Sequence, residues 1–187
     1  MVQLILLNGA PGSGKSTLAQ RYVEDHPLAL ALDIDVVRGL LGRWLEQPAE
    51  AGVLARRMAI GMARVALSAG HDVIVPQFLG RPDFLLQLEQ LSLELGVAFV
   101  EVVLICTADE ARGRFLSRSL HLETPAQRDA RALVERSGGI NALAAMSDRL
   151  LEVVASRPRT IAVSTADGQV ERAYRDLLGA ISRTAGD

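Results

Sequence analysis

The chain has 187 residues, a formal net charge of −2 and an isoelectric point near 5.9, with 49% hydrophobic and only 4% aromatic residues. A chain of this length suits one domain that buries roughly 70% of its unfolded-state surface, so no metal or disulfide staple is needed. The balance of charge gives no overall positive field for long nucleic acids, the N-terminus lacks the basic flank of a secretory signal, and no apolar run reaches the roughly 20 residues that span a bilayer; a cytoplasmic protein is expected.

The first element is an apolar strand, Gln3 to Asn8, which runs directly into Gly9-Ala10-Pro11-Gly12-Ser13-Gly14-Lys15-Ser16-Thr17. A glycine-rich turn between a strand and a helix converges backbone N–H groups on a phosphate, and the helix that follows aims its positive end at the same point. Gly12, Ser13 and Gly14 form the cradle, Lys15 reaches the β and γ phosphates, and Ser16, followed by Thr17, supplies a hydroxyl for magnesium. An ordinary glycine-rich turn is the bland alternative, and the strand–turn–helix context argues against it.

Helix Lys15 to Asp25 ends at His26-Pro27, and Leu28 to Leu32 reads as a second strand. Asp33-Ile34-Asp35 follows, then a short helix from Val36 to Trp44. From Glu50 to Ala69 the residues Leu54, Met58, Met62, Val65 and Ala69 recur at helical spacing with Arg56, Arg57 and Arg64 between them, which predicts an amphipathic helix. Asp72 to Val75 is a third strand. Arg81-Pro82-Asp83 opens a helix with Phe84, Leu88, Leu91 and Leu95 on one face and Gly96 at its exit. Val97 to Cys106 is a fourth strand, in which Cys106 is read as a small buried hydrophobe. Thr107-Ala108-Asp109-Glu110 has the capping-box pattern, and Thr124-Pro125-Ala126-Gln127 repeats it, with a break at Gly138-Gly139. Thr160 to Ser164 is the fifth strand, and Val170, Tyr174, Leu177 and Ile181 stripe the last helix. Alternating strands and helices predict an α/β fold with a five-stranded parallel sheet covered on both faces, with ligands at the carboxyl ends of the strands.

Asp33, Asp35 and Arg38 lie at such an end. In an extended segment residues i and i+2 point the same way, so both carboxylates could face the phosphate loop. Phosphoryl transfer to an alcohol needs a carboxylate that orients the acceptor hydroxyl and a cation that holds an anionic group. A carboxylate is a far weaker base than an alkoxide, so positioning is the larger role of Asp35. The alternative makes Asp35 the N-cap of the next helix and Arg38 a solvated residue of its first turn. His26, His71 and His121 show no metal-ligand spacing.

GAPGSGKST followed by LDIDVVR resembles the P-loop kinases of the AAA_33 and zeta-toxin-like type, which include chloramphenicol phosphotransferase and the 5′-kinase domain of polynucleotide kinase. The resemblance implies a nucleoside-kinase-like three-layer P-loop fold spanning residues 1–187 as one kinase domain, with Mg·ATP as cofactor. It implies Asp35 as the acceptor-activating residue and Arg38 as the acceptor-binding one, beside Asp33. It also implies a small helical lid near residues 114–130, whose Arg114 and Arg118, with Arg112 nearby, close over the ATP phosphates, and an adenine border at Thr165 to Gly168. The chain departs from many P-loop enzymes at the third strand, where Val73-Ile74-Val75 leads into Pro76-Gln77 with no magnesium-supporting aspartate. Gln77 and Arg81 are then candidate acceptor contacts, and Trp44 with Leu45 either lines an acceptor pocket or packs as a hydrophobic cap. The expected activity is transfer of the γ-phosphoryl group to a hydroxyl of an antibiotic, nucleoside or sugar nucleotide. Polynucleotide 5′-hydroxyl kinase and a regulatory ATPase with a protein partner are the alternatives.

Overall fold

The computed structural model describes residues 1–118, 141–166 and 169–184, with backbone only at 108, 118 and 141–144. Five parallel strands, β1 (Gln3–Gly9), β2 (Leu30–Ala31), β3 (Val73–Pro76), β4 (Ala98–Ile105) and β5 (Ile161–Ser164), form one sheet in the order β2-β3-β1-β4-β5. The described helices are α1 (Lys15–Asp25), α2 (Ile34–Gly39), α3 (Pro48–Ser68), α4 (Asp83–Leu95), α5 (Ala108–Arg118), α6 (Asn141–Ala155) and α7 (Val170–Thr184), with a 3₁₀ turn at Trp44–Glu46. None of them is long and apolar enough to cross a membrane. The repeated capping signal at Thr124 and the break at Gly138-Gly139 lie outside the described residues.

β1 sits at the centre of the sheet, and its side chains alternate between the two faces. Leu4 and Leu6 join Ala55, Ala59, Leu85 and Leu88 on one side; Ile5 and Leu7 join Leu18, Tyr22, Leu177 and Ile181 on the other. Burial on both faces explains why the strands read as near-continuous apolar runs. At the amino end of the sheet, the Tyr22 hydroxyl donates to Asp72 Oδ2 (2.7 Å), and Asp72 Oδ1 accepts from the Gln3 amide (2.9 Å). Burial, with the Asp72 carboxylate behind it, pushes the Tyr22 phenol well above its usual range, so it remains a donor.

Four expectations are corrected. The helix over residues 50–69 exists, but its core face is Ala51, Ala55, Ala59, Ala63 and Leu67, while Leu54, Met58, Met62 and Val65 are 36–72% exposed. Both stripes recur at helical spacing of three or four residues, and the alanine stripe lets the helix axis approach the sheet closely. The helix after β2 starts at Ile34 rather than Val36, because the Asp33 carboxylate caps the Asp35 amide at 2.8 Å; it ends at Gly39, and Trp44 begins a separate turn. β2 is two residues long, since Leu28 adopts a left-handed φ of 64°. Cys106 is half-buried beyond the end of β4 rather than packed within the strand.

The capping box at α5 forms: the Thr107 amide donates to Glu110 Oε2 (2.9 Å), and the Glu110 amide donates to Thr107 Oγ1 (3.2 Å). A charged network invisible in the sequence ties β4 to its neighbours. Glu101, 6% exposed, accepts from Arg157 Nε and from Thr160 Oγ1 (2.8 Å), and Arg157 Nη2 also donates to Glu89 (3.1 Å). Arg157→Ala would leave the Glu101 carboxylate buried without its cation and is expected to cost about 3 kcal/mol in chemical denaturation. Glu101→Met combined with Arg157→Met should recover part of that loss; no recovery would mean that packing, rather than charge, dominates here.

Candidate active site

The phosphate loop joins β1 to α1 in a closed, self-bonded form. Ser13 N–H donates to the Ala10 carbonyl (3.1 Å), and Lys15 Nζ donates to the carbonyls of Gly9 (2.8 Å) and Ala10 (3.0 Å). Gly12 and Gly14 hold φ of 85° and 95°, the left-handed region that glycine enters without strain. At Gly12 the requirement is also spatial, because a Cβ there would lie 2.2 Å from the Ala111 carbonyl oxygen. The loop therefore rests directly on α5. α1 carries no acidic residue in its first turn and no side-chain cap, so its first amides and the positive end of its dipole face an incoming anion unopposed. Ser16 and Thr17 are exposed in that first turn.

Asn8, fully buried at the end of β1, was not singled out by sequence. Its Oδ1 accepts from the amides of Gly9 (2.9 Å) and Leu79 (2.8 Å), and its Nδ2 donates to the Leu79 carbonyl (3.1 Å). This clamps the loop after β3 to the phosphate loop. In that loop the Gln77 amide donates to the Leu7 carbonyl (3.1 Å), while Gln77 Oε1 is buried with no hydrogen-bond partner. Arg81 is exposed at the start of α4.

At the start of α2, Asp33 rather than Asp35 is the N-cap, and Asp35 lies in the first helical turn. The two carboxylates are thus not neighbours on one side of an extended strand. Burial first, and the charge of Asp35 second, push the Asp33 carboxyl above its ordinary range; the amides of Asp35 and Val36 and the Lys15 ammonium pull it the other way. Asp35 Oδ1 pairs with Arg38 Nη2 at 2.9 Å. Arg38 is 8% exposed, with its guanidinium 4.5 Å from the centre of the Trp44 ring, and its Nε and Nη2 make no well-aligned hydrogen bond. A buried guanidinium with spare donors suits an anionic or polar ligand.

On the far side of the phosphate loop, Arg114 Nη2 donates to the Thr165 carbonyl (2.7 Å) and lies 3.7 Å from Glu110, which joins α5 to the end of β5. Arg112 is exposed. Arg118 closes α5, and its side chain is outside the described residues, as are residues 119–140 and Asp167-Gly168. Among the described residues no group of three or more His, Cys, Asp or Glu converges on a metal position.

A strand, a glycine-rich phosphate loop and a helix N-terminus at the centre of a five-stranded parallel sheet define a P-loop nucleotide-binding protein. The AAA_33 family model, described as an AAA domain, matches residues 4–137, and the chain belongs to that family. Its fold is shared by solved structures that include two with kinase names. A gluconokinase from Sinorhizobium meliloti 1021 is 19% identical with a TM-score of 0.62, over 97% of this chain and 92% of that one. A protein from Chloroflexus aurantiacus J-10-fl described as a kinase is 18% identical with a TM-score of 0.64, over 98% and 97%. No curated protein sequence matches the chain.

The raised Asp33 carboxyl gives a pH-dependent prediction. In the folded state Asp33 holds its proton more tightly than in the unfolded chain, so stability falls as pH rises from the ordinary carboxylate range through the folded value, and the penalty persists above it. Asparagine caps a helix as well as aspartate does. Asp33→Asn is therefore expected to raise Tm at pH 7, with the gain disappearing below about pH 4 where an ordinary carboxyl is protonated; a gain that is equal at both pH values would show that ionisation is not its cause.

Proposed function

We propose that this protein is an ATP-dependent phosphotransferase that moves the γ-phosphoryl group of Mg·ATP to a hydroxyl of a small molecule. The observation that supports the reading is the electrostatic neighbourhood of the phosphate loop. The Lys15 ammonium is the weakest of the influences on the half-buried Asp33 carboxyl, and Asp33 caps the helix whose first turn carries the Asp35–Arg38 pair. Donor-phosphate groups thus follow β1, and an acceptor-type carboxylate and cation follow β2, at the same edge of the sheet with β3 between them.

Residues Gly12 to Thr17 bind the phosphates. On nucleotide binding Lys15 exchanges its bonds to the Gly9 and Ala10 carbonyls for phosphate oxygens. The exposed Ser16 hydroxyl fits magnesium, a hard cation that keeps several waters and takes its remaining oxygens from the nucleotide; the ion would offset charge on the β and γ phosphates. Asp35 orients the acceptor hydroxyl. The acceptor oxygen forms its bond to the γ phosphorus as the bond to the bridging β–γ oxygen breaks, ADP departs, and the acceptor proton passes to Asp35 late in the step. Arg38 holds the acceptor, with Gln77 and Arg81 on the loop clamped by Asn8, and Arg114 lies at the nucleotide end beside Thr165. Arg118 is assigned to closure of the lid near residues 114–130.

Two substitutions separate the roles. Lys15→Ala is expected to abolish ATP-dependent thermal stabilisation, and stabilisation that persists unchanged would remove the phosphate-loop assignment. Asp35→Asn should lower acceptor-stimulated ADP release about 10²–10⁴-fold with ATP-dependent stabilisation retained. The screen covers nucleosides, aminoglycosides, chloramphenicol-like alcohols, sugar nucleotides and short 5′-hydroxyl oligonucleotides. If no acceptor raises turnover and the basal rate does not depend on Asp35, the kinase reading fails in favour of a regulatory ATPase.

A further inference from the structure

A cavity of about 840 Å³ opens where α2 gives way to α3, lined by Leu41, Trp44, Val53 and Leu54, with Glu50 and Arg57 among its charged residues. Its volume is that of a small-molecule site. We infer that this cavity receives the body of the phosphate acceptor, and that the acceptor is an alcohol on a bulky, apolar, ring-containing frame rather than a sugar, sugar acid or nucleotide. The inference rests on the kinase reading above and names its substrate class.

Position is the first argument. The Leu41 amide is bonded to the Arg38 carbonyl (3.0 Å), so the cavity begins where the helix bearing Asp35 and Arg38 ends. Asp35 lies four positions before Gly39, the last residue of α2, about 6 Å at helical rise, and Leu41 follows two positions beyond the helix end. Trp44 belongs to both regions, since its ring lies beneath the Arg38 guanidinium and lines the cavity. A molecule with its hydroxyl at Asp35 and its frame on the exposed Val53 and Leu54, beside the 7%-exposed edge of Trp44, therefore spans ordinary small-molecule dimensions.

Chemistry is the second argument. Val53 and Leu54 are 53% and 45% exposed, and they gather in one concavity with Leu41 and Trp44. Of its charged lining residues, Arg43 is matched by Glu46 at 2.7 Å, and Glu50 and Arg57 are exposed to solvent at the rim. A polyol pressed against Leu41, Val53 and Leu54 would lose water from its hydroxyls there and find partners only among the charged residues of the rim, which disfavours sugars and sugar acids on the apolar wall. An apolar ring loses nothing there and covers exposed hydrocarbon. The backbone agrees: Arg43, at the rim, holds a left-handed φ of 52°, a conformation that non-glycine residues adopt rarely and that concentrates at ligand sites.

Trp44 is the only tryptophan in the chain, so intrinsic emission reports this cavity directly. 1-Adamantanemethanol, which does not absorb in the tryptophan range, serves as the apolar alcohol, and gluconate and glucose as the polar ones. The expected result is a saturable shift of Trp44 emission with the apolar alcohol, at a Kd at least tenfold below that for gluconate. Leu54→Asp and Val53→Asp, both at exposed positions, should each weaken that binding about tenfold or more. In the ADP-release assay the same two variants should raise KM for apolar ring alcohols by a similar factor, with ATP-dependent thermal stabilisation unchanged. Turnover of gluconate or nucleosides that depends on Asp35, with no turnover of apolar alcohols, would overturn this inference and leave the kinase reading standing. Adamantanemethanol binding without turnover of any ring alcohol would show that the cavity is not an acceptor site. An absence of acceptor-dependent turnover for every compound, with no dependence on Asp35, would remove the kinase reading itself.

Discussion

One buried amide ties the phosphate loop to the loop that follows β3. Asn8 has no contact with water, and its three hydrogen bonds tie the first residue of the phosphate loop to Leu79 in the loop that follows β3. Amide groups buried in this way are held by the cost of leaving them unpaired, which exceeds the net worth of the bonds themselves. A hydrophobic residue of similar size would fill the space yet leave three backbone groups orphaned. The Gln77–Leu7 backbone bond and the Asn8 side chain, which needs no ligand of its own, thus together set the relation between the glycine cradle and the loop beyond β3.

The acidic corner at α2 follows the opposite principle. Asp33 is kept in surroundings that disfavour its charge, and Arg38 is buried with an ion pair to Asp35 at 2.9 Å but no well-aligned hydrogen bond from Nε or Nη2. Groups in this state are expensive for a fold to maintain, and the expense is typical of sites where a ligand completes the missing interactions. The Trp44 ring compensates in part, since a guanidinium over an indole face recovers some of the electrostatic stabilisation lost with water. The buried charge on β4 is matched differently. Glu101 has both oxygens bonded by Arg157 and Thr160.

Much of the fold was legible because its signals are local. The glycines of the phosphate loop, the Pro27 stop after α1, the Thr107–Glu110 capping box and the Gly96 exit each act over a few residues, and the structure carries all of them. The face of α3 was misread because two stripes share one period, and size alone favoured Leu54, Met58 and Met62 over the alanines that touch the sheet. The start of α2 was misread by two residues because Asp33 and Asp35 are both competent caps, and the sequence offers no way to choose. Pairings such as Arg157 with Glu101, Arg114 with Thr165 or Asn8 with Leu79 join residues 51–71 positions apart, and chain periodicity carries no trace of them. The same holds for the stack of Trp44 on Arg38, where the sequence supplied both residues but not their contact.

The seat of Gly12 on Ala111 has a consequence for residues that meet no ligand. The phosphate loop has no slack at that point, because the glycine Cα already lies against a backbone carbonyl of α5. Any replacement within α5 that moves this carbonyl by a fraction of an ångström displaces the cradle by a similar amount. Ala111, almost wholly buried in the middle of that contact, is accordingly under a constraint as tight as the glycine it supports. In descendants of this sequence the two positions should drift together or not at all, although only one of them belongs to the recognisable motif.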